Sequence, residues 1–231
     1  MNNTIYLSGT HRTGKTYLAT IAAHCLSINF KEANLSDAYR QLNTSPQSSI
    51  TPAMYLPIQE LMLARMNSSC IQTAKIVDRS HVDLAAYAIY HLRNNPELSS
   101  WLTDYVDRCL SSIDKDAVIV SVPISTLNIE DTSKSFTKDS AQAIEDILQG
   151  LYLHPLLKAK VVHVPVQTTK IYERVQVIDD VLQEQKSTNK GSNLSTSGRL
   201  NRTGFVGDSE AIKLLDILAH ESNLPTTGRK P

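Results

Sequence analysis

The octapeptide Gly9-Thr10-His11-Arg12-Thr13-Gly14-Lys15-Thr16 constrains this chain more than any other stretch. It reads G-x-x-x-x-G-K-T, the pattern of a phosphate-binding loop, and its flanks suit that assignment. Thr4-Ile5-Tyr6-Leu7-Ser8 is a short β-prone run, and from Tyr17 to Leu26 the apolar residues recur at helical spacing. A strand feeding a glycine-bearing turn and then a helix aims several backbone N–H groups, and the positive end of the helix dipole, at one point. Phosphate oxygens are the natural occupant. Gly9 and Gly14 permit backbone angles that a Cβ would forbid. Lys15 places a point charge near the β- and γ-phosphates, and the Thr16 hydroxyl joins a Mg²⁺ shell. The stretch predicts a nucleoside triphosphate site over residues 9–16.

With 231 residues and 41% hydrophobic content, the chain fits one α/β domain with a sizeable core. The 23 basic residues balance the 23 acidic ones, so no global field recruits nucleic acid or an anionic membrane, although a local basic groove is compatible with a neutral total. Cys25, Cys70 and Cys109 are widely spaced with no C-x-x-C pair, and read as reduced, mostly buried thiols of a cytoplasmic protein. No basic leader and no apolar run of membrane-spanning length is visible.

Along the chain, Ser27-Ile28-Asn29-Phe30 predicts a second strand. It ends at Lys31-Glu32-Ala33-Asn34, a polar segment at a strand's carboxyl end, where doubly wound sheets bind ligands. Residues 43–53 read as a loop. Met54 to Met66 predicts an amphipathic helix with Leu56, Leu61, Leu63 and Ala64 on its apolar face, and carries Gln59, Glu60 and Arg65. Lys75-Ile76-Val77 predicts a third strand running into Asp78-Arg79-Ser80. A carboxylate at a strand tip beside a phosphate loop can take a proton from an attacking hydroxyl or anchor the magnesium shell. The adjacent arginine can stabilise the charge that develops during transfer. His81 reads as an exposed turn histidine and Asp83 as a cap for a helix over Leu84 to Leu92.

A further helix is expected over 97–111, carrying Trp101, and Ala117 to Val122 is a near-continuous apolar run of the kind found in buried parallel strands. Ser125 to Asp139 reads as a mobile lid, Ser140 to Leu151 as a helix, Val161 to Val164 as the fifth strand, and Ile171 to Gln185 as a helix bearing Glu173 and Arg174. From Ser187 to Gly207 the composition shifts to Ser, Thr, Asn and Gly, a linker that carries Lys190, Arg199 and Arg202. Glu210 to His220 predicts a last amphipathic helix. The implied organisation is a nucleotide-binding domain over 1–186 followed by a flexible segment and helix over 187–231.

With these motifs in hand, the chain resembles a branch of the phosphate-loop kinases that contains nicotinamide riboside kinase domains, thymidylate-kinase relatives and many viral nucleoside kinases. That branch carries G-T-H-x-T-G-K-T, matched by Gly9 to Thr16, and a strand ending in D-R-S followed by D and Y-A. Asp78-Arg79-Ser80, Asp83 and Tyr87-Ala88 match the second pattern. Glu32 and Gln59 are similar to a glutamate after the second strand and a glutamine on a long helix, and Thr169 to Val177 looks like the last strand-to-helix turn. The resemblance implies ATP and Mg²⁺ as cofactors, Lys15, Asp78 and Arg79 as catalytic residues, Thr16 and Asp78 as metal ligands, and Glu32 and Gln59 as contacts to a nucleoside-type acceptor. One departure stands out. The branch's lid has an acidic-glycine-x-arginine segment, whereas this chain has Glu130-Asp131-Thr132-Ser133-Lys134, and a lysine is a point charge rather than a bidentate fork. Phage kinases of this branch phosphorylate 5-hydroxymethyluracil in DNA, and the arginine-bearing tail suits contact with a polymer backbone.

The sequence thus predicts a three-layer α/β fold, a five-stranded mostly parallel sheet with helices on both faces, transferring the ATP γ-phosphate to a nucleoside-type acceptor, free or in DNA containing a modified pyrimidine. A switch or motor ATPase is the rival class, but no apolar strand ends in D-E and no N-K-x-D is present. A regulatory module that binds nucleotide without transfer is the third reading, and the missing lid arginine favours it.

Overall fold

The computed structural model describes residues 4–34, 36–44, 51–124 and 138–191. In chain order the elements are β1 (Ile5–Ser8), α1 (Lys15–Leu26), β2 (Phe30–Lys31), α2 (Ser36–Gln41), α3 (Pro52–Met66), α4 (Ser69–Gln72), β3 (Ile76–Val77), α5 (His81–Leu92), α6 (Ser99–Ser111), β4 (Val118–Ser121), α7 (Lys138–Tyr152), β5 (Lys160–His163) and α8 (Ile171–Gly191). The strands form one sheet in the order β2-β3-β1-β4-β5. Every pairing is parallel, with Ile5 opposite both Ile76 and Val118, so β1 sits at the centre. All of β1 and β4 is buried, which is why both are apolar up to the serine at each carboxyl end.

Several element ends differ from the sequence expectation. The run from Ser27 is not a strand at its start. Ser27 caps α1 in the left-handed conformation with φ 51, and the amides of Ser27 and Ile28 bond back to His24 and Ala23, so β2 begins only at Phe30. The apolar face of α3 is Tyr55, Ile58, Gln59, Met62, Leu63 and Met66, a strict i, i+3, i+4, i+7 series, while Leu56 and Leu61 are half-buried and Ala64 is exposed. That helix starts at Pro52, capped by Thr51 Oγ1 accepting from the Met54 amide at 3.3 Å. A full turn precedes the expected start of α5, because Ser80 and Asp83 form a capping box around His81. The composition change at Ser187 does not end α8, which runs to Gly191. Among the cysteines only Cys109 is buried; Cys25 is half-buried and Cys70 exposed. The expected lid falls largely on residues 125–137, and most of the tail on 192–231. Both ranges lie outside the described residues.

The main core joins the helices to the sheet. Ile58, Met66, Tyr105, Leu110, Ile144 and Leu148 are fully buried with Val77 and Ile119, each large apolar side chain contributing about 1.5–3 kcal/mol relative to exposure. Helices α5, α6 and α7 pack together in this layer, and α5 also meets α3. The carboxyl ends of β1 and β3 therefore open between α1, the residues after β2, and the start of α5. There the motifs converge.

Candidate active site

The loop after β1 turns as its glycines require. A Cβ on Gly9 would lie 2.4 Å from the carbonyl oxygen of Val122, the residue after β4, so the backbone there excludes any side chain. Gly14 has open space around it but φ 81, and it leads α1 with no side-chain cap. The first-turn amides of α1 thus lack a protein side chain of the kind that usually satisfies a helix start, the arrangement an anion completes.

Four residues from other elements hold this loop. Asp83, on α5, accepts from the Ser8 hydroxyl at 2.6 Å and the Gly9 amide at 3.0 Å through one oxygen, and from the Ser80 amide at 3.2 Å through the other. The Tyr152 hydroxyl of α7 donates to Ser8 Oγ at 2.8 Å. One turn along α5 from Asp83, the Tyr87 hydroxyl accepts the His11 amide at 2.9 Å while its ring packs on the imidazole, with centroids 4.6 Å apart. Tyr87 also hydrogen-bonds Arg79. Arg174 of α8 donates to the Thr13 carbonyl. Of these, the sequence reading gave Asp83 only a capping role and missed Tyr87, Tyr152 and Ser8 as supports. The i, i+4 spacing of Asp83 and Tyr87 was the available signal, since it places both on one face of a helix.

Lys15 is buried, and its Nζ donates to the Gly9 carbonyl at 2.7 Å, to the Thr10 carbonyl, and to Thr13 Oγ1 at 3.3 Å. Burial, reinforced by the Arg79 guanidinium, pushes its pKa down to about 7 against the pull of Asp83 and Asp78. His11 is lowered to about 3, first by burial and then by Arg79 and Lys15, so its ring is neutral and acts through packing. Positive charge is concentrated here: His11, Lys15 and Tyr87 all feel Arg79.

Asp78 stands at the tip of β3 and is buried. Its Oδ2 accepts from the Thr16 hydroxyl at 2.7 Å, and its Oδ1 accepts from the Ala33 amide at 2.9 Å. One carboxylate therefore joins the start of α1, the end of β3 and the turn after β2. Glu32, next to Ala33, is exposed on the same rim. Gln59 is buried, and its Oε1 and backbone carbonyl each lie 3.0 Å from the Tyr105 hydroxyl. It is part of the α3–α6 packing, not of a solvated face. His81 is likewise no exposed turn residue. It is buried at 1% exposure, with Nε2 2.8 Å from Asn67 Oδ1 and its ring edge-on to Tyr6. Neither Glu60 nor Arg65 enters the site: Glu60 pairs with Arg108 and Arg65 with Asp37.

Thr16 and Asp78 fit a hard cation that also takes phosphate oxygens, since both present oxygen and lie within hydrogen-bond distance of one another. Among the described residues no cluster of three or more His, Cys, Asp or Glu is placed to hold a metal by itself, and no helix is long and apolar enough to cross a membrane.

No protein-family model matches the sequence, and no curated protein does. Solved structures do match by fold. Deoxyadenosine kinase from M. mycoides, determined with dCMP and dCDP, superposes with a TM-score of 0.56 at 14% identity over 78% of this chain and 99% of its own. The NadR protein in complex with NR gives 0.53 at 17% identity, covering 87% of this chain, which spans about half (53%) of NadR. The YorR protein of Bacillus subtilis, with phosphorylated GDP, gives 0.50 at 10% identity over 79% of this chain and 97% of its own. The five-stranded parallel sheet flanked by helices is thus the fold of P-loop kinases.

Proposed function

We propose that this protein is an ATP-dependent phosphotransferase acting on a nucleoside-type acceptor. The observation that carries the reading is the meeting of Thr16 and Asp78 at 2.7 Å, at the mouth of the loop that holds Lys15. In phosphoryl transfer the protein's work is positioning and charge stabilisation. The amides opening α1 and the Lys15 ammonium hold the triphosphate. Mg²⁺, when bound, supplies charge neutralisation at the β- and γ-phosphates, and Thr16 and Asp78 are the side chains that would hold it. Arg79 stabilises the charge on the phosphoryl group in flight. The acceptor hydroxyl oxygen bonds to the γ-phosphorus as the bond to the β–γ bridging oxygen breaks; ADP leaves with that electron pair, and the hydroxyl proton passes to the exposed Glu32 carboxylate. Both oxygens of Asp78 already accept hydrogen bonds, so its role weighs toward the metal and toward orienting the acceptor. Glu32 is exposed beside it and is open to the acceptor hydroxyl, whereas Gln59 is taken up by Tyr105 in the α3–α6 packing. Support for a nucleoside-type acceptor comes from the fold neighbours crystallised with dCTP and with NR.

The finer reading is that the acceptor is 5-hydroxymethyluracil in phage DNA. Its support is the resemblance, together with Arg199 and Arg202 in the Ser/Thr/Asn-rich stretch of the sequence; Lys190, expected there too, lies in the last turn of α8. Transfer of labelled γ-phosphate to free nucleosides, free nucleotides, and DNA with or without 5-hydroxymethyluracil tests both levels. Label entering only free nucleosides or nucleotides leaves an ordinary nucleoside or nucleotide kinase. Steady ATP turnover with no labelled acceptor points to a switch or motor, and nucleotide binding with neither points to a regulatory module.

A further inference from the structure

Arg174 is a buried cation with no part in the chemistry above. It sits in the first turn of α8, is 6% exposed, and donates to two backbone carbonyls. Nη1 donates to the Thr13 carbonyl at 3.2 Å and Nε donates to the Thr168 carbonyl at 2.8 Å. The two carbonyls belong to the phosphate loop and to the turn between β5 and α8. Burial works against the guanidinium's charge, so a purely structural strap at this place would be better made by a neutral amide.

We infer that Arg174 is a positioning residue of the phosphate loop: it sets the Thr13–Gly14 peptide so that the Gly14 amide faces the bound phosphates. The argument is geometric. In a trans peptide the C=O and the following N–H point in opposite directions. Anchoring the Thr13 oxygen outward on Arg174 therefore turns the Gly14 N–H toward the concave side of the loop. Gly14 itself, at φ 81, can adopt the orientation that this demands. The Thr13 side chain is tied as well, its Oγ1 donating to the Thr10 carbonyl at 3.2 Å and accepting from Lys15. The residue Arg174 grips is thus the one that also seats the loop lysine. A planar fork fixes the directions in which its Nε and Nη1 donate to carbonyls on two separate segments, whereas a lysine ammonium donates from a single point with no fixed plane. Through Thr168 the same side chain fixes the β5–α8 turn relative to the loop.

The inference rests on the reading that residues 9–16 hold a polyphosphate, and its test separates the two. Binding of ATP and of inorganic tripolyphosphate is measured by calorimetry on the full chain, for wild type, Arg174→Met and Arg174→Lys, alongside the Gly14 amide resonance with and without ligand. Expected is a loss of roughly 10- to 100-fold for both ligands in Arg174→Met, only partial recovery in Arg174→Lys, and a ligand-induced Gly14 shift that is large in wild type and small in both variants. Should wild type bind neither ligand, the phosphate-loop reading fails and takes this inference with it. If wild type binds and Arg174→Met binds equally well, or if Arg174→Lys restores affinity and the Gly14 shift in full, the positioning role alone is overturned. Where Arg174→Met does not fold, the Lys variant and the Gly14 shift decide the matter.

Discussion

On one side of the cleft, β1 pairs with β4 over four residues, and the loop it feeds is gripped from α5, α7 and α8 by Asp83, Tyr87, Tyr152 and Arg174. On the other side, β2 and β3 pair over two residues each, and Glu32, the residue before Ala33, is exposed. The nucleotide side is held by buried hydrogen bonds, each of which costs about 1–3 kcal/mol to leave unmade. The acceptor side is held by packing, with its polar groups at the rim or, like Gln59, turned into a helix interface. One half is thus tied by buried polar contacts and the other by packing. Asp78 is the seam, since it bonds to both, to Thr16 on one side and Ala33 on the other.

The comparison breaks most readily at Lys15. Lys15→Ala removes a charge that the loop has already gathered on its own carbonyls. Transfer is expected to fall by about 10²- to 10³-fold, with the unfolding midpoint in denaturant little changed. Wild-type turnover in this variant would remove the loop from the mechanism.

The packed side should show itself in acid. His81 has its Nε2–H on Asn67 and a buried Nδ1 that meets no hydrogen-bond partner among the described residues, so a second ring proton would find no acceptor there. Burial lowers its pKa to about 4. With the folded value below the unfolded 6.5, the unfolded chain binds the extra proton first. Stability from this residue is complete above pH 6.5 and is lost as pH falls from there toward 4, by about 3 kcal/mol in all. His11, lowered to about 3, adds a loss of the same sign. Urea unfolding between pH 4 and 7 measures the slope, and His81→Gln should flatten it in part. A slope unchanged by that substitution would place the acid sensitivity elsewhere.

At the seam, Asp78→Asn retains one oxygen for hydrogen bonding and loses the charge. Turnover should drop by roughly 10- to 100-fold while ATP affinity moves by less than about threefold. The reverse pattern, affinity lost and turnover at saturation kept, would make Asp78 a nucleotide anchor and erase the division. Glu32→Gln probes the open side alone. It should raise the KM for the acceptor by roughly tenfold and leave that for ATP in place; an equal effect on both would argue that the rim is shared. The smallest effect is expected at Arg108, which forks onto Glu60 with contacts of 2.9 and 2.6 Å but is 40% exposed. Solvent screens such a pair, so Arg108→Gln should cost under about 1 kcal/mol in thermal unfolding and nothing in turnover.

Much of this was visible in the linear chain because the information is local. Gly9, Gly14, Lys15 and Thr16 serve one turn, and their spacing is dictated by the backbone of that turn, so the loop and the strand and helix around it follow from eight residues. The buried strand over Val118–Ser121 was legible for a similar reason, since a strand covered on both faces needs no polar alternation. His81, Gln59 and Arg174 were not legible. Each is a polar residue whose meaning depends on a partner far along the chain: Asn67 for His81, Tyr105 for Gln59, and Thr13 for Arg174 across 161 positions. Sequence periodicity reports which face of an element is apolar, but it carries no record of which distant carbonyl or hydroxyl a buried polar group will meet. The parallel sheet decides that, by bringing the ends of β1 and β3 and the start of α8 to one edge. The sequence by itself determined that a phosphate loop is present; the tertiary structure decided which side chains hold it in shape, because hydrogen-bond partners are set by distance in space and not along the chain.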